Sequence, residues 1–267
     1  MRASINLEKL TLEVCGLART VGEYLKSEVN NLSSAQIEKK GLHDFVSYVD
    51  KTSERQLMKG LKQILPEAGF IAEESPGAKT AERYNWVIDP LDGTTNFIHN
   101  LPIFSISIAL MENDEVVSGV VYEPNMDECF YAWKGSSAFL NEQKIQVSPA
   151  ASINNGFFAT GFPYYDYSKL DQYLKLFRHL IENSHGLRRM GSAAVDLAYV
   201  ACGRFDGFYE YSLHPWDVAA GSFIVERAGG RVSDFSGDKD YIFGKEILAT
   251  NAALFHEFKL LVKKYFA

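Results

Sequence analysis

The chain has 267 residues, a formal net charge of −7 and a hydrophobic content of 46%, which is enough to build a sizeable buried core. An acidic chain has no general attraction for a polyanion, so the charge argues against a nucleic-acid-binding protein. The N-terminus carries Glu8 and Glu13 without a long apolar run, and the apolar stretch at residues 104–111 is far shorter than a membrane span. We therefore expect a cytoplasmic protein with no membrane segment.

The first half of the chain combines two predicted helices with a series of strands. Apolar residues at spacings of three and four predict a helix over residues 4–29 and a second helix over residues 50–65. Residues 30–44 are polar and are interrupted by Gly41, which is typical of an exposed hairpin or loop. Strand patterns follow at residues 69–72, 85–88, 104–111, 116–122 and 128–133. We predict an α+β part over residues 1–145 that contributes most of the metal ligands proposed below.

Strands and helices alternate in the second half, which predicts an α/β part over residues 146–267. The predicted elements are a strand at 157–160, helices at 168–183 and 192–202, a strand at 207–210, a helix at 216–228, strands at 231–234 and 247–250, and a final helix. No internal repeat is visible between the two halves. The periodicity alone predicts only this succession of an α+β part and an α/β part.

Acidic residues occur at the ends of predicted apolar strands. Glu73 and Glu74 follow one strand, Asp89 follows another, and Asp92 comes three residues later. Asp217 begins an apolar helix much further along the chain. A carboxylate at the end of a core strand is costly unless it is paired or bound to a cation, and oxygen ligands are those that Mg²⁺ prefers. The pattern favours a divalent-cation site, although each of these acids taken alone is more often a turn former or a helix cap.

The segment that begins at Asp89 combines metal ligands with a phosphate-binding turn. The proline after Asp89 fixes the backbone, so that Asp89 and Asp92 can point together and the carbonyl of Leu91 can act as a further ligand. Gly93 permits a close backbone approach, and Thr94 can cap a helix whose free amides bind phosphate oxygens. Two cations that share a carboxylate roughly 3.5–4 Å apart would suit phosphoryl transfer.

Several segments, in order along the chain, resemble the inositol monophosphatase family. They are WVIDPLDGTTNF at residues 86–97, WDVAAG at 216–221 with ERAGG at 226–230, FIAEES at 70–75, DFVSYVD at 44–50, TGFP at 160–163 and the stretch from 189 to 217. The resemblance covers nearly the whole chain. It implies a layered αβαβα sandwich, a homodimer, and a magnesium-dependent, lithium-sensitive phosphatase that acts on a small phosphorylated polyol or sugar.

The resemblance also implies a metal-binding role for five positions. Glu73, Asp89 and the carbonyl of Leu91 would hold one Mg²⁺ ion. Asp89, Asp92 and Asp217 would hold a second ion, with Asp89 shared between the two. The loop at residues 30–43 matches the family poorly, so the number of ions, two or three, stays open.

Catalytic and substrate-binding roles follow from the same resemblance. Thr94 and Glu73 would orient the attacking water, with support from Asp50, and Glu210 would accept hydrogen bonds from substrate hydroxyls. Glu210 could equally do no more than end a strand. The full set of implied substrate contacts is Asp92, Gly93, Thr94, Gly191, Ser192, Ala193 and Glu210.

The substrate that the resemblance favours is myo-inositol monophosphate, hydrolysed to inositol and phosphate by a metal-activated water. Three alternatives use the same fold with a different substrate: fructose 1,6-bisphosphate, 3′-phosphoadenosine 5′-phosphate and NADP. A fourth alternative belongs to another class, a regulatory binding protein that retains the fold. Complete apparent metal ligands argue against a loss of catalysis, but they do not exclude a second role.

Overall fold

The computed structural model describes residues 5–31, 37–39 and 45–266. Within these residues the helices are α1 (Leu7–Glu28), α2 (Tyr48–Ile64), α3 (Thr94–Ile98), α4 (Leu170–Asn183), α5 (Ala193–Ala201), α6 (Pro215–Arg227) and α7 (Phe255–Phe266). None of the helices in this part of the chain is long and apolar enough to cross a membrane. The predicted helices are confirmed with small shifts at their ends.

The strands form one small hairpin and two large sheets. The hairpin pairs β1 (Ile37–Lys39) with β2 (Phe45–Ser47), and the rest of the predicted loop at 30–44 lies largely outside the described residues. The first large sheet contains β3 (Gly69–Ala72), β4 (Tyr84–Asp92), β5 (Ser105–Glu112), β6 (Glu115–Glu123), β7 (Glu128–Trp133), β8 (Ala138–Leu140) and β9 (Gln143–Ile145). The second contains β10 (Phe157–Thr160), β11 (Gly186–Arg188), β12 (Gly207–Tyr211), β13 (Arg231–Ser233) and β14 (Glu246–Thr250).

Strand order differs between the two large sheets. In the seven-stranded sheet the order follows the sequence, and every pair is antiparallel except β3 with β4, which are parallel. Short turns produce this meander; Asn113, between β5 and β6, takes a positive φ of 55° that asparagine tolerates. In the five-stranded sheet the order is β11-β10-β12-β14-β13, and β10 pairs in parallel with both neighbours. Parallel neighbours need long connections, which α4 and α5 provide.

Three hydrophobic cores stack these elements into five layers. Trp86 and Ile88 of β4 pack with α1 and α2, whereas Val87 between them packs with α5 and α6 on the opposite face of the sheet. In the second sheet Phe208 faces α5 and α6, and Tyr209 faces α4 and α7. The layers are therefore α1/α2, the seven-stranded sheet, α5/α6, the five-stranded sheet and α4/α7. This order confirms the predicted αβαβα sandwich.

One strand boundary was predicted wrongly, and the difference matters for the site. The sequence pattern placed Asp89 after the end of a strand, but β4 continues through Asp92. Asp89 lies opposite Ser107 and Asp92 lies opposite Ser105, so three steps along β4 match two steps along β5. The extra residue produces a β-bulge, which re-aims side chains without ending the strand.

Candidate active site

A cleft at the junction of the two sheets gathers the predicted site residues. We call it the acidic cleft; its walls include Glu73, Asp89, Leu91, Asp92, Gly93, Thr94, Gly191, Ser192, Ala193, Glu210 and Asp217. They include every position for which the sequence predicts a metal-binding or substrate-binding role. Asp50 does not line the cleft and lies behind Thr94, with which it shares a hydrogen bond.

Asp89 occupies the centre of the acidic group. It is almost fully buried, and its Oδ1 accepts a hydrogen bond of 2.9 Å from the amide of Leu91 across the bulge. Burial raises the pKa of Asp89 well above its ordinary value, and the charges of Glu73, Asp92 and Asp217 raise it further. Four carboxyl groups therefore repel one another in this place, which is the electrostatic condition that a bound cation relieves.

Asp92 joins the two halves of the chain. Its Oδ2 accepts hydrogen bonds from Ser192 Oγ at 2.6 Å and from the amide of Ala194 at 2.8 Å, at the beginning of α5. Burial raises the pKa of Asp92 to about 6, and these two hydrogen bonds oppose the rise because they favour the charged form. A carboxylate of the first sheet is thus oriented by a helix of the second half.

Asp217 reaches the cleft from the first turn of α6. Pro215 begins this helix, and Asp217 Oδ2 accepts a hydrogen bond of 2.7 Å from the amide of His214, as in a capping box. Burial raises the pKa of Asp217 well above its ordinary value, and the nearby charge of Asp92 adds to the rise. Helix capping fixes one oxygen of this side chain and so orients the carboxyl group.

Thr94 stands at the turn where β4 passes into α3. Gly93 precedes it in the left-handed region with a φ of 97°, where a side chain would be strained and a Cβ would lie 3.0 Å from the carbonyl oxygen of Ile103. Thr94 Oγ1 lies within hydrogen-bond distance of Asp50 Oδ1 (3.1 Å) and of the Leu91 carbonyl (2.9 Å). The hydroxyl has one proton, so it can donate to only one of these acceptors at a time.

Asp50 is held by the start of α2. Its Oδ2 accepts from the amide of Ser47 at 2.8 Å and from the Ser47 hydroxyl at 2.6 Å. Burial raises the pKa of Asp50, and the Ser47 hydrogen bonds oppose that rise. Asp50 is therefore a helix-capping residue and also the acceptor behind Thr94.

Glu210 enters the cleft from β12 of the second sheet. A Cβ added at Gly161 would come within 2.0 Å of the Glu210 carboxyl carbon, so the absence of a side chain at 161 makes room for this group. Burial raises the pKa of Glu210 to about 8, although the nearby Arg189 charge lowers it. At neutral pH the carboxyl is largely protonated, and it can both donate and accept hydrogen bonds.

The acidic cleft has further lining residues to which the sequence analysis assigns no role, and three of them carry polar groups used below: Tyr164, Arg189 and Asp196. Arg189 donates to the Tyr164 hydroxyl, and its guanidinium lies 5.1 Å from the ring centroid of Phe162. Asp196 is the single acid in α5, whose other residues are apolar. An acidic residue in an otherwise apolar helix could have been recognised in the sequence as a candidate site residue. The position of Arg189 depends on packing that no local sequence pattern shows.

The chemistry of the donors suits hard divalent cations. The candidate ligands are carboxylates of Glu73, Asp89, Asp92 and Asp217 and the carbonyl of Leu91, all of them oxygen donors. Within the described residues, no three histidine, cysteine or acidic side chains already stand as a formed metal-ligand set. The residue types fit Mg²⁺, and ion binding would have to draw the mutually repelling carboxylates together.

The layered αβαβα sandwich and the acidic cleft define a class of protein with a candidate site for divalent cations. Comparisons with known proteins identify the family. The family model described as "Inositol monophosphatase family" matches residues 6–263, and the chain belongs to this family. An inositol-1-monophosphatase of Mesorhizobium japonicum is 37% identical over 249 residues, which cover 92% of this chain and 93% of that protein. A "Putative Nus factor SuhB" of Neisseria meningitidis is 41% identical over 235 residues, or 88% of this chain and 90% of that protein.

Solved structures agree with this assignment. The extragenic suppressor protein SuhB of Bartonella henselae has a TM-score of 0.90 at 38% identity, covering 96% of this chain and 99% of that one. An inositol monophosphatase of Anabaena has a TM-score of 0.86 at 34% identity and covers 97% of both chains. The protein is accordingly a phosphoric monoester hydrolase with the inositol monophosphatase fold.

Proposed function

We propose that this protein hydrolyses the phosphate monoester of a small polyol or sugar, with myo-inositol monophosphate as the favoured substrate and Mg²⁺ as the cofactor. One observation carries the proposal. Carboxylates from the residue after β3, from β4 and from the first turn of α6 face one cleft, beside the glycine turn at Gly93 and across from Glu210. Cation ligands, a phosphate-binding turn and a hydroxyl-binding acid then lie together in the order that a polyol phosphate requires.

Two ions would be held by residues that the acidic cleft brings together. Glu73, Asp89 and the Leu91 carbonyl would bind one ion, and Asp89, Asp92 and Asp217 the other. When bound, the ions would make a water molecule more acidic and offset the negative charge of the phosphate. A third ion would need residues of the 30–44 loop, whose side chains from residue 32 onward lie outside the described part of the chain.

The chain's own residues would position water and phosphate. Asp50 accepts from Thr94 Oγ1, and this bond would leave the lone pairs of the threonine oxygen free to accept a hydrogen bond from the attacking water and so orient it. Glu73, on the adjacent wall, would orient the same water. The amides of Gly93 and Thr94 would donate to phosphate oxygens, because they stand at the start of a helix, where backbone N–H groups have no acceptor within the helix itself.

The second half of the chain would bind the alcohol part of the substrate. Glu210 would accept or donate hydrogen bonds to ring hydroxyls, and residues 191–193 would lie along the ring. Gly191 has a φ of 94°, and a Cβ there would meet Arg189 and Asn96 atoms at 2.6–3.0 Å. This position must therefore stay without a side chain if the wall is to keep its shape.

A panel of phosphate esters tests the proposal directly. Phosphate release would be measured over a range of Mg²⁺ concentrations with myo-inositol 1-phosphate, fructose 1,6-bisphosphate, 3′-phosphoadenosine 5′-phosphate and NADP. We expect the highest kcat/KM with the inositol ester and no release after the metal is chelated. Asp217→Asn serves as the inactive control. A clear preference for any of the three other esters would replace the favoured substrate, and release that is independent of Mg²⁺ would contradict the cofactor.

We further propose a cytoplasmic homodimer whose activity is inhibited by lithium, as the family resemblance implies. Li⁺ would compete for the site that includes Asp217, so inhibition should weaken as Mg²⁺ rises. Sedimentation equilibrium measures the oligomer, and a Li⁺ titration at two Mg²⁺ concentrations measures the competition. A monomer at all concentrations, or no inhibition at all, would contradict the respective proposal.

A second candidate function comes from the names of relatives. The Escherichia coli K12 relative, 40% identical over 88% of this chain and 88% of that protein, is named "Nus factor SuhB". We propose, as the second candidate, that this chain acts as a Nus factor. Expression of the chain in an Escherichia coli strain that lacks SuhB tests this role. Rescue by both the wild type and Asp217→Asn would show a role that is independent of phosphate release. Failure of both to rescue would remove this candidate.

A further inference from the structure

Asp196 is an acidic residue in the middle of an apolar helix. The sequence of α5 is AAVDLAYVA, and all nine of its residues are buried. Oδ1 of Asp196 has no hydrogen-bond partner among the described residues. A buried polar atom without a partner destabilises a fold, and an apolar residue would fill this place without that penalty. Oδ1 of Asp196 therefore needs a hydrogen-bond partner that the described residues do not supply.

The position of Asp196 along α5 directs it toward the acidic cleft. Ser192 caps this helix and donates to Asp92, so the helix begins beside the proposed metal ligands. Asp196 comes four residues later, and its amide donates to the Ser192 carbonyl at 3.0 Å. It lies on the same side of the helix, about 6 Å further along the axis, and both residues line the cleft. That displacement is comparable with the distance between hydroxyl oxygens on opposite sides of a six-membered ring.

Glu210 approaches the same end of the cleft from the five-stranded sheet. Its carboxyl group fills the space that Gly161 leaves open, and it lies near enough to Asp196 that a charge on Glu210 raises the pKa of Asp196. Two carboxyl groups from two different elements therefore share this end. An arrangement of this kind offers several hydrogen-bonding oxygens to one bound molecule.

Arg189 is the cation near these two acids, but it does not satisfy Asp196. Its guanidinium donates to the Tyr164 hydroxyl and lies against the rings of Phe162 and Tyr164. Arg189 Nε is itself buried without a hydrogen-bond partner within the described residues. If the fold used an Arg189–Asp196 pair for its own stability, these two atoms would not both lack partners.

We propose that Asp196 is a specificity-determining residue that binds ring hydroxyl groups of the substrate together with Glu210. A hydroxyl both donates and accepts, so it can satisfy a carboxyl group in either protonation state. Adjacent hydroxyls on one ring can reach two carboxyl groups at once. The inference rests on the proposed function, because it assumes that the phosphate lies at the metal ligands. It narrows the substrate class to monophosphates of polyhydroxylated rings.

Asp196→Leu tests this role, since leucine suits an apolar helix but binds no hydroxyl. The substrates are myo-inositol 1-phosphate and cyclohexyl phosphate, which has the same ring without the free hydroxyls. We expect kcat/KM to fall about tenfold or more with the inositol ester and by about twofold or less with the cyclohexyl ester. The thermal midpoint of the metal-free variant should equal or exceed that of the wild type. Asp196→Asn, which keeps polar atoms, should give a smaller loss.

Glu226→Gln is the matched control, because Glu226 lies on α6, which also lines the cleft, but its own side chain is exposed and bonds to Tyr241. This variant should have the same kcat/KM as the wild type with both esters. An equal loss with both esters in Asp196→Leu, or no loss with either, would overturn the inference and leave the phosphatase proposal standing. If the wild type releases phosphate from neither ester nor from the wider panel, the proposed function fails and this inference fails with it.

Discussion

The seven-stranded and five-stranded sheets contribute different chemistry to one cleft. The seven-stranded sheet supplies Asp89 and Asp92 from β4 and Glu73 from the residue after the neighbouring strand β3, so its acids are concentrated in one corner. The other half supplies Glu210 from the five-stranded sheet itself and Asp217 from α6, at separate places on the wall. The first half therefore concentrates negative charge, whereas the second half shapes and completes the site.

This difference has a physical origin in the two topologies. Antiparallel neighbours in sequence order allow a local bulge in β4 without disturbing the rest of the sheet, and the bulge turns Asp89 and Asp92 toward one point. The second half instead places two helix starts, those of α5 and α6, at the cleft. Helix starts orient acids through capping hydrogen bonds, as they do for Asp92 and Asp217.

The sharpest test replaces one acid from each half. Asp89→Asn and Asp217→Asn keep the side-chain shape, and both should lower kcat by at least about a hundredfold in saturating Mg²⁺, because even outer ligand partners matter to that extent. The metal-free variants should melt at the same temperature as the wild type or higher, since each loses a repelled charge. Phosphate release and calorimetry with a chelator measure the two effects. Full activity in Asp217→Asn would show that the second half does not complete the metal site.

Thr94→Ala tests the junction between β4 and α3 within the first half. The variant loses the hydroxyl that bonds to Asp50 and the Leu91 carbonyl, and we expect kcat to fall about a hundredfold with little change in KM. Thr94→Ser retains the hydroxyl and should recover most of the rate. Measured kcat and KM values of both variants distinguish the role of the hydroxyl from that of the methyl group. If kcat falls equally in Thr94→Ser, which lacks only the methyl group, then methyl packing and not the hydroxyl is responsible.

Gly161→Ala perturbs the second half alone. The added methyl group would lie 2.0 Å from the Glu210 carboxyl and must push that side chain out of place. We expect kcat/KM to fall about tenfold for myo-inositol 1-phosphate and less for cyclohexyl phosphate, because the displaced group is the one that we propose to bind hydroxyls and not metal. Steady-state kinetics with the two esters measure the ratio. An equal decrease for both would mean that Glu210 supports the metal end.

The smallest expected effect is a pH dependence of metal-free stability. The pKa of Glu210 is about 8 in the folded chain against an ordinary 4.5, so between these values the folded state binds more protons than the unfolded state. The free energy of unfolding must therefore fall as the pH rises from about 4.5 to 8. Asp92, with a pKa of about 6, adds to the fall in the lower part of this window.

Calorimetry in the presence of a chelator measures this effect. We expect the melting temperature to drop by about 5 °C or more between pH 5 and pH 8, and Mg²⁺ at pH 8 to restore it. Glu210→Gln should make the drop smaller in the upper part of this range, because its side chain does not titrate while Asp92 still does. A rise in melting temperature over the same window would contradict the assigned directions of these pKa shifts.

The sequence predicted most elements of the fold because their patterns are local. The β5–β6 hairpin follows from a turn at Asn113, and α6 follows from the apolar run after Asp217, although the predicted helix begins at 216 and the observed one at Pro215. The bulge in β4 was not predictable, since an Asp-Pro-Leu-Asp segment looks like the end of a strand and only the pairing with β5 shows that it continues.

Two signals in the sequence predicted the candidate site, and they differ in the distance along the chain over which they link residues. Spacing alone indicated that Asp89 and Asp92 could face one point, but only the family resemblance linked them to Asp217 and Glu210, more than a hundred residues away. Arg189 and Tyr164 were missed because their place depends on how the segment before α5 folds over the cleft. Long-range packing of this kind leaves no periodic trace in the sequence.

The hydrogen bonds from Ser192 and Ala194 to Asp92 have a consequence for biosynthesis. A ribosome delivers the seven-stranded sheet first, and the nascent chain then carries a cluster of acids whose orienting donors have not yet been made. Asp217 is added later still, when about four-fifths of the polypeptide has been translated. Chains released early by a stalled ribosome would thus hold a nearly complete set of acids and remain catalytically silent.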